Sequence, residues 1–246
     1  DAVTGKVTGP EAVLDLRLKA FSDIAQNHVT ENIFSHYMYK TLPTGSHLWT
    51  FKRQLTHQHA LSCFVSALLR LGGRTPQKIM FAKNTGRVFM LDFHPAFDSK
   101  GITEFVEPVP FRLTRNLYTF FTPFGVRGDF VAAMAAAAQA MSAPGANIET
   151  QMMLFYRDQL MVWPWRRMSG AGPQALLGPT PADVRVMARA NVDEVMKRLP
   201  CITPNPPRMM SADHLTSVQK GVIHLVEASI NPKNLCRQEP TAMPWL

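Results

Sequence analysis

An α+β fold, predominantly helical with one short β-hairpin, is what this 246-residue sequence predicts. Long stretches repeat apolar residues at the three-to-four spacing of a helix face, and one pair of short apolar runs flanks Asn84-Thr85-Gly86. Breaks rich in Pro and Gly separate the periodic segments. With 46% hydrophobic residues, the chain has enough apolar material for a sizeable core.

Residues 1–12, rich in Gly, Thr and Pro, are predicted to form a flexible lead. Leu14, Leu18, Phe21 and Ala25 then share one face of a helix over 13–28, and Ile33, Phe34, Tyr37 and Met38 mark a second over 30–40. Pro43 with Gly45-Ser46 ends it. The longest periodic stretch, 49–70, places Phe51, Leu55, Leu61, Phe64, Val65, Leu68 and Leu69 so that its second half is largely buried. His57 and His59, two residues apart, face different ways, which fits surface or core histidines rather than metal ligands.

Strands are predicted at 78–82 and 87–91, joined by a turn at 84–86 in which Gly86 tolerates positive φ. Residues 98–107 are polar and turn-like. Good helix formers fill 130–141, where the alanines allow close packing, and a further helix covers 148–162. Its Met152, Met153 and Met161 read as core filler rather than a cofactor box. A linker rich in Ser, Gly and Pro follows at 168–181, then a charged amphipathic helix at 183–199 and a second break at 200–207. The last long helix is predicted over 211–230 with Ser211 as its cap, and the tail carries Leu235, Trp245 and Leu246 for docking.

Lys plus Arg number 26 against 18 Asp plus Glu, a formal charge of +8, but the basic residues are scattered and their densest cluster is Arg166-Arg167. That distribution favours a solvated mixed-charge surface over a nucleic-acid footprint. Cys63, Cys201 and Cys236 are odd in number and far apart, which fits a reducing compartment without a disulfide framework or zinc spacing. No apolar run reaches membrane-span length, and the first residues lack the basic and apolar regions of a signal peptide. The start without methionine leads us to expect a piece of a longer chain.

Gly72-Gly73-Arg74-Thr75-Pro76-Gln77-Lys78, the hairpin after it and Asp92-Phe93-His94 resemble the catalytic floor of phosphatidylinositol 3-kinase-related kinases. In that family the loop reads Gly-Asp-Arg-His-x-x-Asn and the later motif Asp-Phe-Gly. The family's aspartate serves the attacking hydroxyl and its asparagine holds a metal on the nucleotide phosphates. Here Gly73 replaces the aspartate, Thr75 the histidine and Lys78 the asparagine, while Asp92 remains as a vestigial metal carboxylate. Glycine cannot accept a proton and an ammonium repels magnesium, so the resemblance implies no catalytic residues, no metal and no cofactor. Trp49-Thr50-Phe51-Lys52-Arg53 resembles the start of the helix that feeds this loop.

Two further matches follow in order. Val109-Pro110-Phe111-Arg112-Leu113-Thr114, then Phe124-Gly125-Val126-Arg127-Gly128, resemble the segment that closes the activation region. Phe111 is expected to anchor it in the lobe and Arg112 to pair with a buried acid. Asn234-Leu235-Cys236-Arg237 and Pro244-Trp245-Leu246 resemble the FATC tail, in particular that of the TRRAP family, a pseudokinase branch.

The resemblance implies a protein-kinase-like C-lobe of the PI3/PI4-kinase type: a helical lead-in at 1–48, a lobe at 49–200 with its degenerate loop at 71–79 and activation-like segment at 92–117, a linker at 201–213 and a FATC segment at 214–246. It further implies a nuclear scaffold that holds other subunits of a histone acetyltransferase complex of the SAGA type and receives transcription activators through the rest of its full-length chain. Neither direct nucleic-acid contact nor a membrane is expected. Two alternatives remain: an active Ser/Thr kinase using Asp92 for metal with a base such as His94, and a free-standing basic nucleic-acid module.

Overall fold

A computed structural model describes residues 9–104, 107–121, 126, 128–143, 145–167, 180–202 and 212–246. The expected lead at 1–8, the linker at 168–179, Phe124, Gly125, Arg127 and the Ser211 cap lie outside the described residues.

Helix α1, Pro10–Asp23, opens with proline at its first turn and continues as a π-helical turn, Ile24–His28, whose wider step is closed by Val29 N–H on the Ile24 carbonyl at 2.9 Å. Helix α2 is Ile33–Thr41. Pro43 does end it, but Gly45-Ser46 begin α3, Gly45–Leu69, rather than continuing the break. Thr44 makes the difference, because its hydroxyl accepts the His47 N–H at 3.3 Å and caps the new helix. At the other end Arg70 adopts φ 53, and Leu71 N–H reaches back to the Ser66 carbonyl at 2.9 Å. That left-handed step turns the chain out of α3 into the loop at Gly72.

Strands β1, Ile79–Phe81, and β2, Val88–Met90, pair antiparallel with Met80 opposite Phe89. Gly86 meets two demands at once: its φ is +72, and a Cβ there would stand 2.6 Å from the Phe51 carbonyl of α3. Gln58 of α3 anchors the same end by accepting the Val88 N–H at 2.8 Å.

The remaining helices are α4 (Arg115–Phe120), α5 (Asp129–Ser142), α6 (Ile148–Arg167), α7 (Pro181–Ile202), α8 (Ala212–Ile230) and α9 (Pro232–Leu235). Helices α6 and α7 each run past the position where periodicity predicts an end, by less than a turn beyond Pro164 and Pro200. A proline forfeits its own N–H bond, so such a terminal turn tolerates it where a helix middle would not.

Helix α3 packs against α5 and α7, α6 lies along α7, and α8 covers α5. Their shared core includes Phe51, Leu55, Phe64 and Leu68 of α3, Phe130 and Met134 of α5, Tyr156 and Leu160 of α6, Val192 and Val195 of α7 and Val222 of α8. None of these is more than 2% exposed. Burying each large apolar side chain stabilises by about 1.5–3 kcal/mol. A smaller second cluster joins Phe21 and Ala25 to Val109, Leu235 and Cys236, with Leu14, Leu18 and Trp245 against it. It fastens the C-terminal tail to α1.

Residues 98–104 form a tight loop. Asp98 accepts the Lys100 and Ile102 N–H groups at 2.9 and 2.8 Å, and Phe97 and Thr103 form a β-bridge. Asn191 of α7, fully buried, clamps the loop: its carboxamide accepts Thr103 N–H at 2.7 Å and donates to the Gly101 carbonyl at 2.7 Å.

Candidate functional site

The loop after α3 and the end of β2 meet at Arg74, which is 8% exposed. Its guanidinium donates to the carbonyls of Gly72 at 2.9 Å, Leu91 at 3.1 Å and Asp92 at 2.7 Å, riveting loop and hairpin into one floor. Burial lowers its pKa, opposed by the fields of Asp92 and Glu107.

Gly73 stands at φ +65, and a Cβ on it would point to Lys78 Nζ at 3.5 Å. Thr75 donates its backbone N–H to the Gly73 carbonyl at 2.9 Å, and Pro76–Lys78 form a short 3₁₀ turn. That turn carries Lys78 to Asp92, whose backbone is left-handed at φ 50, and the ammonium sits 3.3 Å from a carboxylate oxygen. Lys78 is 37% and Asp92 61% exposed in the side chain, so the ion pair is screened and worth at most about 1 kcal/mol.

A magnesium ion would find a poor fit at Asp92, because its carboxylate already faces an ammonium. Among the described residues no group of three or more His, Cys, Asp or Glu side chains is disposed to hold a metal. Phe93 packs edge-on to Phe155 of α6 with centroids 5.8 Å apart, and the His94 ring bonds Gln159 of the same helix at 3.0 Å. His94 is thus oriented by α6.

Glu107 is a member of this floor that sequence reasoning missed. Its carboxylate accepts the Gly73 N–H at 2.6 Å, and its second oxygen is 3.5 Å from the Gln238 carboxamide nitrogen in the tail. A side chain on Gly72 would crowd Glu107 Cγ at 3.2 Å. No local spacing announces a carboxylate that acts 34 residues away from its partner.

Behind the floor, Phe111 is 2% exposed and lies in the main core. Arg112 departs from expectation: in place of a buried acid, its guanidinium takes the carbonyls of Ala242 and, at 3.4 Å, Met243. Burial pulls its pKa down to about 10. The Arg112 carbonyl in turn accepts from His59 Nε2 at 3.0 Å and Cys63 Sγ at 3.7 Å. Burial pushes the His59 pKa down to about 4, so the ring is neutral near pH 7 and donates from Nε2. The same burial raises the Cys63 thiol.

Asn116 N–H reaches the Leu246 carbonyl at 3.4 Å, while its side chain bonds Phe34 N–H and the Thr30 carbonyl at 3.1 and 3.2 Å. Trp245 packs on the second cluster, and Leu246 lines an apolar cavity of about 360 Å³ with Pro76, Ile79, Phe81 and Arg112. Neither Lys78 nor Asp92 lines that cavity. The floor therefore brings Gly73, Lys78, Asp92 and Glu107 together, with Arg112, Trp245 and Leu246 forming its rear attachment to the tail.

The family model for phosphatidylinositol 3- and 4-kinase matches residues 9–165. The chain is 26% identical over 99% of its length to the human "Transformation/transcription domain-associated protein". It is 23% identical over 94% of its length to the "SAGA complex/NuA4 acetyltransferase complex subunit TRA1" of Saccharomyces cerevisiae. It spans about 6% of the length of each. In architecture it is similar to the FAT and kinase domain of CtTel1, with a TM-score of 0.65 and 19% identity over 95% of this chain and 15% of that one. On the strength of the family match and the ordered motifs, the chain belongs to the phosphatidylinositol 3- and 4-kinase family.

Proposed function

We propose that this chain is the kinase-like C-lobe and FATC tail of a transcription-coactivator scaffold, and that it serves assembly without phosphoryl transfer. The observation that carries the reading is the Lys78 ammonium 3.3 Å from Asp92, with glycine at position 73 where the family places its catalytic aspartate. Loss of a positioned acid or base alone removes about 10²- to 10⁴-fold of rate, and a lysine where the family carries its metal-binding asparagine compounds it. The likeness to a transcription domain-associated protein and to an acetyltransferase complex subunit supports the wider setting of other subunits of such a complex as partners. The reading adds a nuclear location and activators engaged by the rest of the full-length chain. The division proposed is a lead-in at 1–48, a lobe at 49–200, a linker at 201–213 and a FATC segment at 214–246. Phe111, Arg112, Trp245 and Leu246 keep the lobe and tail together. No cofactor, nucleic-acid or membrane role is assigned to this segment.

The test is phosphate transfer by the intact protein from radiolabelled ATP with magnesium. Incorporation equal to that of Asp92→Ala supports the scaffold; transfer that Asp92→Ala abolishes would establish the kinase alternative instead. Affinity purification of the intact protein from nuclear extract should recover acetyltransferase subunits, and their absence would remove the coactivator setting.

A further inference from the structure

Helix α1 and the C-terminal tail leave a groove between them, outside the main core, whose tail side touches the floor only through Gln238 on Glu107. It consists of two adjoining depressions of about 450 and about 340 Å³, and Arg17 of α1 and Arg237 of the tail line both. Phe21, Ile24, Pro244 and Trp245 give the larger depression an apolar floor. Both arginine side chains are exposed, and among the described residues neither forms an ion pair. The acids on the rim are Glu11 and Glu239, the latter accepting from the Thr241 hydroxyl at 3.4 Å. Val13 and Leu16 of α1 add exposed apolar surface, at 41% and 50%.

Two guanidiniums above a recessed apolar floor suit a ligand with both an anionic and a bulky apolar group. Guanidinium and carboxylate match in geometry as well as charge, and Arg tolerates the partial desolvation of an interface. Because the apolar groups are recessed between α1 and the tail, a side chain can reach them and a flat bilayer cannot.

We propose that this groove docks a peptide segment of a partner protein, with acidic side chains on Arg17 and Arg237 and an aromatic or large aliphatic side chain over Phe21 and Trp245. The inference stands apart from the scaffold reading, since it requires neither the loss of phosphoryl transfer nor a particular complex.

The probe is a fluorescein-labelled peptide, Gly-Asp-Glu-Trp-Asp-Glu-Leu-Gly, titrated by anisotropy against the intact protein. Arg17→Glu with Arg237→Glu should weaken its binding by at least about tenfold, whereas Arg53→Glu with Arg185→Glu, an equal change of net charge at exposed sites elsewhere, should not. An amide version of the peptide, with Asn and Gln for its acids, and a version with Ser for Trp should each bind about tenfold more weakly. Raising salt from about 50 to about 300 mM should weaken the parent peptide. Absence of binding, or equal binding by the two double variants, overturns the proposal. So does co-sedimentation of the protein with phosphatidylserine-containing vesicles that is lost in Arg17→Glu with Arg237→Glu, which would reassign the arginines to a membrane.

Discussion

Replacing Asn191 by alanine should unfasten the loop at 98–104. Asn191 is fully buried, and its carboxamide satisfies Thr103 N–H and the Gly101 carbonyl at 2.7 Å each, with a further bond to the Met187 carbonyl at 2.9 Å. The Met187 carbonyl is one turn back on the same helix and already belongs to the helix ladder. The loop's two groups have no such fallback, and each orphaned buried group costs about 1–3 kcal/mol. The substitution should therefore destabilise by about 2–6 kcal/mol, read as a lower urea midpoint at unchanged slope. Amide exchange at Thr103 should accelerate with it. Asn191→Asp is a sharper probe, because it preserves the acceptor for Thr103 N–H, removes the donor to Gly101 and buries a charge. A loss below about 1 kcal/mol for the alanine variant, with Thr103 exchange unchanged, would refute the clamp.

Four other outcomes are expected. Lys78→Met should cost no more than about 1 kcal/mol and lose its effect in high salt, since the pair with Asp92 is largely exposed; a differential scan at two salt concentrations checks it. His59, held at about 4 against an unfolded value of about 6.5, makes the unfolded state bind more protons as pH falls between those values, so stability drops across that window; urea midpoints for wild type should fall more steeply there than for His59→Gln. Gly86→Ala must place a Cβ 2.6 Å from the Phe51 carbonyl at positive φ, which should destabilise by about 1–3 kcal/mol and lower the melting temperature. Arg112→Met removes the two guanidinium contacts to the tail, so residues 241–246 should exchange amide hydrogens faster while those of α3 do not.

The elements legible in the sequence are those whose signal is local and repeated. Helices α3, α6 and α7 announce themselves by apolar spacing, α5 by its run of helix-forming alanines, and the hairpin by two short runs around a glycine whose positive φ the fold requires. Short helices carry too few turns for a period to register: Arg115–Phe120 and Pro232–Leu235 pass unseen among motif and tail residues. The start of α3 was accessible in principle, since Thr44 followed by His47 is a capping arrangement, but the neighbouring Pro43 and Gly45 mask it. At the floor, Gly73 and Lys78 are readable one residue at a time, because the resemblance sets each against one position of a family motif. Glu107 on Gly73, Arg112 on Ala242 and Asn191 on Thr103 are not, because each partner lies at least 34 residues away and no period links them.

The attachment of the C-terminal tail to the lobe runs largely through main-chain atoms. The Arg112 guanidinium and the Asn116 N–H are tied to carbonyls of the tail, and Glu107 to the backbone N–H of Gly73. Because main-chain atoms are present whatever side chain occupies a position, the tail can differ in composition and still present its carbonyls to the Arg112 guanidinium. The template that holds this region in shape is the polypeptide's own backbone.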